Sequence, residues 1–250
     1  MSDDSAELFG ISITALSWEL AESTIMQWTQ EIRSHVVCAC NVHSVISANA
    51  DPELKKALSS ADMCTPDGAP LAWLMRKIGW PDQQRINGPD LMWKLLSAAE
   101  RLQVPIFLLG STESTLNQLE KKLLVAFPSL SLAGQVSPPF RPMTTKENDE
   151  LIALISASGA RILFVGLGCP KQEKWMATYR QRLPMVMIGV GAAFDYHAGT
   201  LARAPIFWQR AGLEWLYRLA MEPKRLGRRY LITNTLFLLS LPGQLWKRSR

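Results

Sequence analysis

Short apolar runs alternate with longer segments in which apolar residues recur every three or four positions, so strands and amphipathic helices are expected to follow one another. Leu8–Ile13 reads as a first strand, and Trp18, Leu20, Ile25, Trp28 and Ile32 place a helix after it. Val36–Cys40 is a second strand, ending at Asn41-Val42-His43-Ser44 before a helical stretch with Val45, Ile46 and Ala48. Asp51-Pro52-Glu53 carries a helix start, with Asp51 as cap and Pro52 at the first helical position, where its missing N–H costs nothing. Ala61–Thr65 runs into Pro66-Asp67-Gly68, and a helix through Leu71, Leu74 and Ile78 follows to Gly79. Gly88-Pro89-Asp90 opens another helix, Val104–Leu109 is a strand into Gly110-Ser111, and Leu116, Leu119 and Leu123 mark the helix beyond it. Leu130–Val136 is a short strand, separated by the proline-rich loop Ser137–Pro142 from a helix at Lys146–Ala157.

The stretch from Ala160 to Gly199 repeats this grammar most clearly. Ile162–Val165 is a buried strand, Gly166-Leu167-Gly168 a tight turn, and Pro170 the first residue of a helix carrying Trp175, Met176, Tyr179 and Leu183. Met185–Val190 is the next strand and ends in Gly189-Val190-Gly191. Continuous apolar strands joined by helices predict an α/β, Rossmann-like, mainly parallel sheet with helices on its faces. In such sheets ligands gather beyond the carboxyl ends of the strands. The segments there are Asn41–Ser44, Pro66–Gly68, Gly110–Ser111, Gly166–Lys171 and Gly191–Asp195.

The last fifth differs. After Arg203-Ala204-Pro205 comes a tryptophan-rich helix, Ile206 to Leu219, then Pro223, a basic run at Lys224–Arg229, and the apolar segment Tyr230–Leu241. That segment falls short of the ~20 residues needed to cross a bilayer. Flanking basic clusters with Trp208, Trp215 and Trp246 fit a helix lying in a membrane interface; packing on the domain is the alternative. Residues 1–200 are therefore read as an α/β domain and 201–250 as a basic, helical appendage.

Charge sharpens the division. The chain of 250 residues carries +5 overall, but residues 201–250 hold +8, which leaves the body at −3. A basic tail on an acidic body suits a polyanion: a nucleic acid, an anionic membrane or a phosphorylated substrate. Cys38, Cys40, Cys64 and Cys169 form no C-x-x-C pair, and with three histidines there is no zinc pattern, so reduced thiols in the cytoplasm are expected. The acidic N-terminus lacks the features of a secretory signal.

Several polar residues fall at the ligand-binding edge. A helix start after a glycine turn favours an anion, although Lys171 stands where a dinucleotide fingerprint needs its third glycine. Asp67 is either a turn residue or a base accepting a proton from an attacking hydroxyl. Asp195 and His197 are either loop hydrogen-bonders or site residues, and His43 and Asn41 are equally open. Gln172 has both donor and acceptor for a ligand, while Lys171 and Arg85 are either solvated or set near an anion. No D-x-D pair is present to hold a metal on a nucleotide-sugar diphosphate, and no G-x-S-x-G to serve a hydrolase.

Pro66-Asp67-Gly68-Ala69-Pro70-Leu71, Arg85-x-x-Gly88-x-Asp90-Leu91, Phe107-Leu108-Leu109-Gly110, Val165-Gly166-Leu167-Gly168-x-Pro170-Lys171-Gln172-Glu173, Gly189-Val190-Gly191-Ala192-x-Phe194-Asp195 and Gly212-Leu213-Glu214-Trp215-Leu216-Tyr217-Arg218-Leu219 together resemble the WecG/TagA/CpsF glycosyltransferases, family 26. The match runs in order from about Asn41 to Arg229. The resemblance implies a bacterial enzyme, peripheral on the cytoplasmic face of the membrane, that moves a sugar from a UDP-sugar to a polyprenyl-diphosphate-linked saccharide. It implies inversion, no metal ion and no cofactor, and no nucleic acid partner. Within the family N-acetylmannosamine, its uronic acid and glucose are transferred. Carried onto this chain, Asp67 is the general base, Asn41 and Gln172 lie near the donor sugar, and Arg85 lies near the active site. The turns with Gly166, Gly168, Lys171, Gly191 and Asp195 lie near the nucleotide, and Arg218, Arg225 and Arg228 of the appendage reach the diphosphate. Ala39 stands where the teichoic-acid branch has a threonine, so one hydroxyl is missing. Two other classes remain: a Rossmann-type oxidoreductase or methyltransferase, and a non-catalytic binder using its tail. The apolar tail also leaves homo-oligomerisation open.

Overall fold

The computed structural model describes residues 4–246. A hairpin of β1 (Ser5–Leu8) and β2 (Ile11–Thr14) opens the chain. The apolar pattern suggested one strand across Leu8–Ile13, but Leu8 pairs with Ile11 and the chain reverses at Phe9-Gly10, with φ of 54° and 79°. A two-residue hairpin turn of type I′ has two such left-handed residues, and glycine supplies one without steric cost.

The alternation of strands and helices then holds: α1 (Trp18–Trp28), β3 (His35–Cys40), α2 (Val42–Ala48), α3 (Pro52–Ser59), β4 (Met63–Pro66), α4 (Ala69–Ile78), α5 (Gly88–Arg101), β5 (Ile106–Gly110), α6 (Glu113–Ala126), β6 (Leu132–Val136), α7 (Thr145–Ala157), β7 (Ile162–Gly166), α8 (Lys171–Tyr179), β8 (Val186–Gly189) and α9 (Ala193–Ala198). Asp51 caps α3, its Oδ1 accepting from Leu54 N at 3.1 Å, with Pro52 in the first turn as expected. Pro170 precedes α8 rather than opening it, and α1 stops short of the exposed Ile32.

Strands β3 to β8 form one parallel sheet in the order β4-β3-β8-β7-β5-β6. Its central strands are buried on both faces. Leu163 and Val165 pack on one side with Phe107, Leu109 and Met187, while Ile162 and Phe164 pack on the other with Ile106, Leu108 and Ile188. The two-residue period of a strand sorts neighbouring apolar residues onto opposite faces, which is why the runs are continuous. β3 feeds α2 on the first face, and its neighbour β8 feeds α9 on the second. The two connections part, leaving a crevice at the carboxyl ends of the strands.

The tail forms α10 (Ile206–Arg210), α11 (Glu214–Met221) and α12 (Pro223–Trp246). One tryptophan-rich helix was expected, but Gly212, at φ +72°, breaks it, and a side chain there would also press on Ala69. α12 packs against α2 and α4, burying Leu226, Thr233 and Phe237. The Phe237 ring lies 5.2 Å from that of Phe9, and Phe9 N donates to Gln244 Oε1 at 3.2 Å. The other side of α12 leaves Leu231, Leu238, Leu239 and Trp246 exposed, so packing on the domain uses only half of this helix. Among the described residues no helix is long and apolar enough to cross a membrane. Lys247, Arg248 and Arg250, counted in the tail charge, lie outside the described residues.

Replacing Phe237 by Ala removes the ring that joins α12 to the hairpin; a loss of about 3 kcal/mol is expected in urea unfolding, against a change near zero for the exposed Leu231→Ala.

Candidate active site

Backbone hydrogen bonds place Asp67 at the crevice. The chain leaving β4 stays paired with β3, since Asp67 N donates to Cys40 O at 2.8 Å, and Gly68 then caps α4. A Cβ on Gly68 would stand 3.3 Å from the Asn41 Cβ, so glycine lets the two strand ends close up. Asn41 caps α2: its Oδ1 accepts from Ser44 N at 3.2 Å, and its Nδ2 lies 3.4 Å from Asp67 Oδ2. Its amide thus serves its own turn and faces Asp67 at once. Arg85 Nε donates to the main-chain oxygen of Asp67 at 2.6 Å, and Arg85 Nη2 stands 3.9 Å from Asp67 Oδ1 and 2.7 Å from Glu214 Oε2.

These groups line a cleft of about 1010 Å³ between the strand ends and the tail helices. Burial raises the Asp67 carboxyl above the ordinary carboxylate range; Arg85 opposes this and Glu214 adds to it. A carboxyl whose pKa is raised, set in a cleft, is a candidate to take up a proton.

Gln172 lines the cleft as expected of a residue near the ligand, but its amide is committed within the protein. It is buried, and its Oε1 accepts from Gly168 N at 3.2 Å and Gly191 N at 3.1 Å, while its Nε2 donates to Glu173 Oε1 at 2.9 Å. The carboxamide ties the two glycine turns together, so those two N–H groups are spent inside the protein. A Cβ on Gly189 would lie 2.9 Å from Gln172 Nε2, which explains glycine at that strand end. Glu173 is buried beneath with its Oε2 unpartnered, and burial pushes its carboxyl up.

Gly166, Gly168, Gly191 and Asp195 line the opposite wall, and Lys171 lies exposed at its rim. Asp195 Oδ1 accepts from Ser111 Oγ at 3.1 Å, Thr115 Oγ1 at 3.4 Å and Thr200 Oγ1 at 3.5 Å. His197 does not line the cleft; its Nε2 meets Pro89 O at 2.9 Å and its ring stacks on Trp93, and burial lowers its pKa. His43 does line it, with Nδ1 3.1 Å from Ser47 Oγ and a pKa lowered to about 4, chiefly by burial and then by Arg229. Ala39 lines the cleft with its methyl group only.

From the tail, Arg218 and Arg225 line the cleft, whereas Arg228 is exposed and is not among the lining residues. Arg229 takes that place, because it lies one helical turn from Arg225 while Arg228 is rotated by about 100° from Arg229. Arg218 Nε and Arg229 Nε are buried without a partner, as is the Tyr196 hydroxyl; the Arg218 guanidinium lies 5.7 Å from the Tyr196 ring centre. Buried donors left unpaired in a cleft favour an anionic ligand. Arg229, Tyr196 and Tyr230 were not singled out in the sequence, and Glu214 entered only within the motif at 212–219. A four-residue row through Arg225, Arg229, Thr233 and Phe237 was the available signal for Arg229.

A profile of the glycosyl transferase WecG/TagA/CpsF family matches residues 6–250. The chain belongs to this family. A WecG/TagA/CpsF glycosyltransferase takes a sugar donor and an acceptor, so the cleft is its candidate catalytic centre, and the oxidoreductase and methyltransferase classes fall away. Among the described residues no group of three or more His, Cys, Asp or Glu side chains is placed to hold a metal ion.

Gln172→Ala leaves the N–H groups of Gly168 and Gly191 without an acceptor; a stability loss of about 2 kcal/mol is expected, read by urea unfolding of the purified full chain.

Proposed function

We propose that this glycosyltransferase moves a hexosyl residue of the N-acetylmannosamine type, its uronic acid, or glucose, from a UDP-sugar to a polyprenyl-diphosphate-linked saccharide. The reaction inverts the anomeric centre, needs neither metal ion nor cofactor, and serves synthesis of a cell-surface polysaccharide such as a teichoic acid or an exopolysaccharide. The observation that carries this is a carboxyl raised by burial, Asp67, in the same cleft as two arginines whose buried Nε atoms lack partners.

The acceptor hydroxyl gives its proton to Asp67 as its oxygen forms a bond to the anomeric carbon. The bond from that carbon to the UDP oxygen breaks on the far side, and UDP leaves with the electron pair. Arg218, Arg225 and Arg229 neutralise diphosphate charge by donated hydrogen bonds. Asn41 orients the Asp67 carboxylate, Asp195 offers its second oxygen to the nucleotide, and Lys171 adds a cation at the rim. Gln172 acts on the donor indirectly, by fixing the turns around Gly166, Gly168 and Gly191. Residues 1–200 form the transferase body, and 201–250 an appendage that brings the arginines.

The outward row of α12, with Leu231, Leu239 and Trp246 exposed beside Lys224 and Arg228, supports peripheral attachment to the inner face of the cell membrane. Binding to phosphatidylglycerol vesicles in co-sedimentation is expected to weaken with salt, and about tenfold in Leu239→Asp. Equal binding of this variant would remove the outward row from the interface.

The reaction is tested with a panel of UDP-sugars in detergent and EDTA, together with a lipid-diphosphate-linked saccharide, following UDP release. Asp67→Asn is expected to lower kcat about a thousandfold, and near-normal turnover in the folded variant would exclude Asp67 as the base. The base works only when deprotonated, so kcat is expected to fall as pH drops through the raised Asp67 pKa, which lies above the ordinary ~3.9. A raised carboxyl pKa means that ionisation opposes folding; Asp67→Asn is therefore expected to unfold at a higher temperature than the wild type at pH 7. A non-catalytic binder predicts instead that UDP and vesicle binding persist with no acceptor-dependent release.

A further inference from the structure

Glu214 is a buried carboxylate, 8% exposed, that enters the cleft from α11. Its Oε2 holds Arg85 Nη2 at 2.7 Å, and its Oε1 stands 3.9 Å from Arg203 Nε. Arg203 is itself committed to Asp90, at 2.5 Å and 2.9 Å, beside the start of α5. The Arg85 guanidinium therefore has two carboxylates within reach, Glu214 at 2.7 Å and Asp67 Oδ1 at 3.9 Å, and it binds the first. Its Nε meanwhile bonds the main-chain oxygen of Asp67 at 2.6 Å.

We propose that Glu214 is a positioning residue for Asp67, acting through Arg85: it draws the guanidinium away from the Asp67 carboxylate and leaves that cation anchoring the Asp67 main chain. Without the Glu214 charge the same nitrogen is free to pair with Asp67, and a close guanidinium favours the ionised, less basic carboxylate. The remaining groups acting on Asp67 are Asn41 from the start of α2, Arg218 from α11 and Tyr196 from α9. Asn41 and Arg218 favour ionisation, so Glu214 is the acidic side chain that offsets them. Its own charge adds to the effect by direct repulsion.

The test uses the full chain and reads Asp67 itself. A carbon-13 carboxyl NMR titration, with the Asp67 signal assigned by its loss in Asp67→Asn, is compared between wild type and Glu214→Gln, which keeps the shape and removes the charge. The midpoint is expected to move down by about one pH unit in Glu214→Gln and to stay near the wild-type value in Glu214→Asp. An unmoved or raised midpoint in folded Glu214→Gln overturns the proposal. If that variant does not fold, Glu214→Ala carries the test: with the Glu214 charge gone Asp67 titrates lower than in the wild type, and an unmoved or raised midpoint again overturns it. The kinetic counterpart rests on Asp67 being the base of the proposed transfer, and there the acid limb of kcat shifts in parallel with the titration. Failure to detect transfer would count against that reading alone, because the titration needs no turnover.

Discussion

Burial of the parallel sheet on both faces is the constraint from which the other features follow. Strands walled by helices on either side offer no polar surface of their own, so the groups the sheet itself supplies to the cleft sit where strands end. Asn41 leaves β3, Asp67 leaves β4, Ser111 leaves β5, and the glycine turns leave β7 and β8. Residues far apart in sequence meet because a parallel sheet aligns those ends along one edge. The glycines are required by the same crowding: a Cβ on Gly110 would stand 2.5 Å from the Gly166 main chain, and one on Gly166 would stand 2.8 Å from the Phe194 ring.

Within that edge the balance of charge decides what Asp67 can do. Desolvation raises the pKa of the carboxyl, and Arg85 lowers it. The tail contributes the middle course, since Glu214 meets Arg85 while Arg218 and Arg229 keep donors free. The tail helices and the strand ends at the cleft are thus one electrostatic unit, although they are far apart in the chain.

The alternation of elements was legible because its signals are local. Apolar runs, the Asp51-Pro52 start and the Gly79 stop each act over a few residues. The Phe9-Gly10 reversal was hidden by an apolar pattern that continues through it, and the tail break by aromatic residues on both sides of Gly212. At the cleft, Asn41, Asp67 and Asp195 could be singled out from their places after strands, and Arg85 from its place before the Gly88 helix start. The role of Glu214 could not be read, because it lies in a contact with Arg85 from a segment with no common spacing, and Arg229 was marked only by its four-residue row on α12. Gln172 was recognised as important for a different reason: the fold spends its amide on two backbone donors.

The two rows of α12 set a distance as well as a polarity. Leu226, Thr233 and Phe237 face the body, and Leu231, Leu239 and Trp246 face away, so any surface meeting the outward row is held about 10 Å, one helix diameter, from the body. The helix acts as a spacer of fixed thickness. On the proposed attachment to a membrane, a substrate tethered there would be sorted by reach: a charged group close to its tether would meet the arginines, and one carried on a long stalk would overshoot them.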